Sequence, residues 1–135
     1  EGPVFNAGTF NAHPISMAAG LATLEVLEAT DALRRASKAA GELAEYLEEL
    51  GRGRLAVNRV ESMFQAFFGV GEVKDADDAR RADRQAYARL HEALRKRGVF
   101  VAPSQFEAVF TSAAHTDEAI SLTMDALRQA VSELA

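Results

Sequence analysis

Three kinds of residue in this 135-residue chain have the type and setting to do chemistry. Near its start Gly8 precedes Thr9. Glycine leaves the backbone open to close approach, and threonine adds an N–H and a hydroxyl, the donors that an anion such as a phosphate needs. Read alone, the same dipeptide is the commoner turn before a helix. Far downstream, Glu107 follows Pro103, Ser104, Gln105 and Phe106 in a stretch with loop composition. A carboxylate presented there would attract an amino group and repel a second carboxylate, although the ordinary fate of a lone acid is a solvated loop. The three histidines, His13, His91 and His115, have no metal-ligand spacing, and the absence of cysteine removes disulfides and thiolate sites. No metal is expected. His13, before Pro14, reads equally as a helix-capping or packing residue and as one that touches a site.

The elements that must position these residues follow from apolar periodicity. Pro14 suits the first turn of a helix and opens an apolar run to about Ala29, with so little polar face that the helix is expected to be largely enclosed by partners. Thr30 and Asp31 supply cap chemistry for a second helix. There Leu33, Ala36, Ala40, Leu43, Leu47 and Leu50 form one stripe that ends at Gly51. Residues 55–69 change to short apolar runs and predict two strands. A loop is expected over residues 71–78. Asp75, Asp77 and Asp78 then open a single third helix that Arg95, Lys96, Arg97 and Gly98 close, acid first and base last as the macrodipole favours. Val99 to Val101 and Ala108 to Phe110 predict two more short strands. Thr116 caps a last helix carrying Ile120, Met124, Leu127, Val131 and Leu134. The fold class is α+β, a small mostly antiparallel sheet with helices on one side.

Composition narrows the function. A formal charge of −5, a pI near 5.2 and no basic stretch interleaved with aromatics argue against nucleic acid as a partner. The longest apolar run is broken by Gly20, Thr23 and Glu25 and is too short to cross a membrane. Cysteine usage favours the cytoplasm. The chain opens on Glu1-Gly2-Pro3 without a methionine, which reads as an excised domain or a product of proteolytic maturation.

Segments of the sequence also resemble a known family. GTFNAHPISMAAGLATLEVL, residues 8–27, resembles the stretch by which class III aminotransferases leave their large domain and enter a long connecting helix. ESMFQAFFG, residues 61–69, and GVFVAPSQFEAVFTSAAHTDEAI, residues 98–120, resemble the glutamate-1-semialdehyde aminomutase branch of that family. With the intervening DDARRADRQAYARL, the resemblance covers nearly the whole chain.

The resemblance implies a fold-type I pyridoxal-phosphate homodimer. Residues 1–29 would be the end of its large-domain segment and the connecting helix, and residues 30–135 its C-terminal small domain. The partners would be its own large domain, a second subunit and a small amino substrate. Thr9, with Gly8, would contact the phosphate of pyridoxal 5'-phosphate bound in the partner subunit, and Glu107 would stand in the substrate pocket. The family's cofactor-binding lysine lies upstream of the matching segments, and Lys38, Lys74 and Lys96 fall outside every matching motif. The chain by itself is therefore expected to be inactive. The implied activity of the parent protein is movement of an amino group between adjacent carbons of glutamate 1-semialdehyde, giving 5-aminolevulinate for tetrapyrrole synthesis. His13 stands where the family commonly has asparagine, which keeps open a class III transaminase acting on another amine or a β-amino acid. A free-standing dimerisation or regulatory domain is the alternative from another class. No arginine occurs between Gly98 and Asp117 to hold an α-carboxylate. Phe64, Phe67 and Phe68 read as core and dimer packing.

Overall fold

The computed structural model describes residues 7–134; residues 1–6, on which the reading of a cut end rests, and residue 135 lie outside it. The chain divides into two compact units, one ending at Ala32 and the other beginning at Leu33.

In the first unit a turn leads into helix α1, Pro14–Ala29. Asn11 N–H donates to the Gly8 carbonyl at 3.0 Å, His13 N–H donates to the Phe10 carbonyl at 3.2 Å, and Ala12 takes a left-handed φ of 58° between them. Pro14 occupies the first helical turn, where its missing N–H leaves nothing unsatisfied. None of the residues of α1 is buried, and Ile15, Met17, Leu21, Leu24 and Val26 are all exposed. The expected enclosure is therefore not provided by the residues described. An apolar surface running round a whole helix needs partners on several sides, and a unit of one turn and one helix has none to give.

After α1 the order is α2 (Ala32–Gly51), all but its first residue in the second unit, then β1 (Leu55–Val60), β2 (Met63–Phe68), α3 (Ala76–Arg81), α4 (Arg84–Arg95), β3 (Val109–Phe110) and α5 (Asp117–Ser132). The Thr30 hydroxyl accepts from the Ala32 N–H at the head of α2, as its cap chemistry predicts. At the other end a Cβ on Gly51 would lie 2.4 Å from Leu55 Cγ, so any larger residue would force the buried Leu55 side chain to shift. β1 and β2 pair antiparallel from Leu55↔Phe68 to Val60↔Met63. β3 joins the other edge of β2 through Met63↔Phe110 and Phe64↔Val109, giving the order β1-β2-β3.

Because side chains alternate along a strand, β2 serves two clusters. Phe64, Ala66 and Phe68 join Leu55 and the stripes of α2, α4 and α5 in the main core, where Leu94 is only 2 % exposed. On the opposite face Phe67 and Ala56 meet Val73, Ala79 and Ala82, so α3 covers part of the side expected to be free of helices.

Two further expectations are corrected. The single third helix is two helices. Ala82 is extended (φ −66°, ψ 152°), Asp83 N–H donates to the Phe68 carbonyl at 2.8 Å, and the Asp83 carboxylate accepts from Gln85 and Ala86 N–H as the N-cap of α4. Val99 to Val101 form no strand. Val99 N–H is committed to the Leu94 carbonyl at 3.0 Å and Gly98 N–H to Arg95, with Gly98 left-handed at φ 80°, which is a Schellman closure of α4. Residues 71–75, read as loop, contain buried Val73, whose carbonyl accepts from Asn58 Nδ2 at 2.7 Å. Among the described residues no helix is long and apolar enough to cross a membrane.

Candidate functional site

Glu107 lies on the segment between α4 and β3, residues 96–108, which belongs to no strand or helix. Pro103 removes one donor from this segment, and its own main-chain bonds are local. Glu107 N–H donates to the Ser104 carbonyl at 3.1 Å, and Phe106 N–H to Ser104 Oγ at 3.2 Å. The Glu107 side chain is exposed, on the loop where the sequence puts it.

Its surroundings are more structured than the sequence suggests. The Tyr87 ring is buried on α4 and its hydroxyl donates to the Ala102 carbonyl at 2.9 Å. Gln105 is equally buried and its Nε2 donates to the Ala79 carbonyl of α3 at 3.0 Å. The Arg84 guanidinium stands 4.9 Å from the Phe106 ring centroid, a cation–π contact. An arginine thus reaches the Glu107 loop from α4, although the segment from Gly98 to Asp117 contains none.

Burial is the main cause that raises the Tyr87 pKa. The neighbouring Gln65 amide offsets part of that rise, and the Glu107 carboxylate adds to it through its charge. Gln65, on β2 and 7 % exposed, lies beside the phenol with its amide atoms making no hydrogen bond of normal geometry among the described residues. None of Tyr87, Gln65, Gln105 and Arg84 was singled out from sequence. The one signal available was Gln65, a polar residue inside the otherwise apolar run of β2.

Thr9 lies in the exposed turn of the first unit, with Gly8 beside it. A Cβ on Gly8 would stand 3.1 Å from Asn11 Oδ1, so a larger residue would crowd the turn. Thr9 and Glu107 belong to different units, and each is described within its own. His13 is the N-cap residue of α1 but makes no capping bond with its side chain, and its ring meets Phe10 edge-on at 6.0 Å. His91 meets Phe100 in the same way at 6.0 Å, and His115 Nδ1 accepts from Ser112 N–H at 3.0 Å in a local turn. The lysines sit in surface ion pairs, Lys38 with Glu42, Lys74 with Glu72 and Lys96 with Glu92.

Comparison with known proteins places this arrangement. Residues 2–131 match the family model "Aminotransferase class-III". Over 99% of its length the chain is 53% identical to the glutamate-1-semialdehyde 2,1-aminomutase of Sulfurisphaera tokodaii and 57% identical to that of Hyperthermus butylicus. It spans about a third of the length of each, 33% and 32%. Among solved structures, the FumI protein of Sphingopyxis sp. MTA144 in its PLP internal aldimine form is 29% identical. The match covers 97% of this chain and 30% of that one at a TM-score of 0.72. With nearly all of its residues matched and the same fold shared at that likeness, the chain belongs to the class III aminotransferase family.

Proposed function

We propose that this chain is the C-terminal part of a pyridoxal-phosphate-dependent glutamate-1-semialdehyde 2,1-aminomutase. The observation that carries the reading is identity above one half to two such enzymes over 99% of the chain. Such a protein isomerises its substrate, moving the amino group to the adjacent carbon, and needs no external amino acceptor.

The residues present fit the cofactor at one point. The Thr9 hydroxyl is exposed and has no hydrogen-bond partner among the described residues, and Gly8 leaves the turn uncrowded, which suits donation to a phosphate. In a homodimer these groups would hold the phosphate bound by the partner subunit. When bound, the cofactor supplies an electron sink at the reacting carbon. Its covalent attachment would fall to the family's lysine, upstream of the matching segments, since Lys38, Lys74 and Lys96 lie outside every matching motif.

Glu107 gives the site its preference. Its carboxylate attracts amino groups at the reacting end of the substrate and opposes an α-carboxylate there, since unpaired like charges brought together cost several kcal/mol, on the order of what separates good partners from wrong ones. Glutamate 1-semialdehyde keeps its carboxylate away from the reacting carbons and is accepted. The test is the ratio of kcat/KM for glutamate 1-semialdehyde to that for α-amino acids, in the full-length enzyme and its Glu107→Gln variant. The ratio is expected to fall by about tenfold or more, equivalent to about 1.4 kcal/mol of discrimination. An unmoved ratio returns Glu107 to the role of a surface acid. His13 favours a second reading, a class III transaminase for another amine, and turnover that requires an external keto-acid acceptor would select it.

A further inference from the structure

We propose that Tyr87 and Gln105 are positioning residues that fasten the Glu107 loop to the corner between α3 and α4, so that the carboxylate is held at one place. The proposal rests on the reading of Glu107 given above and adds the residues through which that glutamate is set.

A loop can hold a side chain in place only if its own backbone is held, and this one has no ladder to do so. The Val99 N–H is taken by the end of α4, pairing with β2 starts only at Val109, and Pro103 has no N–H. Two side-chain bonds take the place of the missing strand. Tyr87, 3 % exposed, reaches 15 residues along the chain to Ala102 just before Pro103. Gln105, 2 % exposed, reaches 26 residues back to Ala79 just before Phe106 and Glu107. The two bonds run in opposite directions, one from the helix to the loop and one from the loop to the helix. They bracket Pro103 and Ser104, and the Arg84 contact on Phe106 adds a third link to the same corner. A buried polar group bonded to main chain in this way is costly to misplace, which favours one position of the loop over others. The electrostatic influence of Glu107 on the Tyr87 phenol agrees with that placement.

The experiment is a double-mutant cycle in the full-length, cofactor-loaded enzyme with glutamate 1-semialdehyde. Tyr87→Phe keeps the ring and removes the hydroxyl. It should lower kcat/KM by roughly tenfold to a hundredfold, the scale of misplacing a group by about an ångström. In a Glu107→Gln background the same change should cost less than about twofold, because it acts through the glutamate already removed. Amide exchange at Phe106 and Glu107 should quicken in Tyr87→Phe while the amides of α2 keep their rates. Gln105→Met repeats both measurements if Tyr87→Phe does not accumulate as folded protein. Equal losses in the two backgrounds, or unaltered loop exchange, overturn the positioning role and leave Glu107 untouched. A Glu107→Gln enzyme whose ratio of kcat/KM for glutamate 1-semialdehyde to that for α-amino acids is unmoved overturns the Glu107 reading itself.

Discussion

Helices α1 and α2 are both rich in apolar residues and meet opposite fates. α1 carries Ile15, Met17, Leu21, Leu24 and Val26 around its circumference and buries none of them among the described residues. α2 confines Ala36, Ala40, Leu43 and Leu47 to one stripe and buries all four. The difference shows that burial is set by pattern together with available partners, and not by apolar content. A stripe needs one facing surface, and β2 with α4 and α5 supplies it. A helix apolar on every side needs several, which no single small unit holds. The two helices thus separate a stripe buried by its own neighbours from an apolar surface that none of the described residues buries.

The comparison can be broken by a pair of truncations, one in each region. Leu94→Ala removes a nearly inaccessible side chain from the main core and should cost about 2–5 kcal/mol in urea or guanidinium unfolding of this chain. Leu24→Ala on α1 removes a side chain of similar size that is 58% exposed, and should stay within about 0.5 kcal/mol of the parent. Equal losses would place α1 in the same cooperative core and end the contrast.

A second substitution sharpens it by asking what the first unit does, since none of its described residues is buried. Thr9→Ala should leave the stability of the isolated chain unchanged. On the proposed reading, the full-length dimer would lose a hydroxyl bond to a charged phosphate, worth about 1.5–3 kcal/mol, and the affinity for pyridoxal phosphate should fall by about tenfold or more. Titration of the apoenzyme with the cofactor measures this. Unchanged affinity would leave Thr9 as a turn residue before α1.

The sequence made the periodic parts of this fold legible. The α2 stripe, the two strands of the hairpin, the closing bases and Gly98 of α4, and the Thr116 cap of α5 all follow from local spacing, and the structure has each of them. What escaped were the places where a distant residue overrides a local pattern. Asp83 sits in an unbroken run of helix-compatible residues and ends one helix because Phe68, at the end of β2, takes its N–H. Val99 to Val101 have strand composition, but the Val99 N–H is lost to the Leu94 closure. The candidate site divides in the same way. Gly8, Thr9 and Glu107 stand in segments that carry the family resemblance. Tyr87 and Gln105 announce themselves only through bonds spanning 15 and 26 residues. Arg84 reaches Phe106 from a separate helix, so inspecting the residues around Glu107 could not find it.

The smallest expected effect concerns the helix starts, where the two regions differ again. α4 begins at a residue whose carboxylate accepts from two main-chain N–H groups, Gln85 at 2.9 Å and Ala86 at 3.0 Å. α1 begins at His13, whose side chain caps nothing. Asp83→Ala deletes the cap but keeps the main-chain bond to Phe68, so the α3–α4 break should survive at a cost of about 1 kcal/mol. For a domain of this size that corresponds to a fall in Tm of about 4–8 °C. Asp83→Asn, which restores an acceptor oxygen, should recover most of the loss, and a Tm that stays low would mean that charge and not capping held the helix. His13→Ala removes no capping bond and should move the Tm by less than about 0.5 kcal/mol would. A fall after His13→Ala as large as after Asp83→Ala would show that the Phe10–His13 contact stabilises the first unit as much as a full cap stabilises the second.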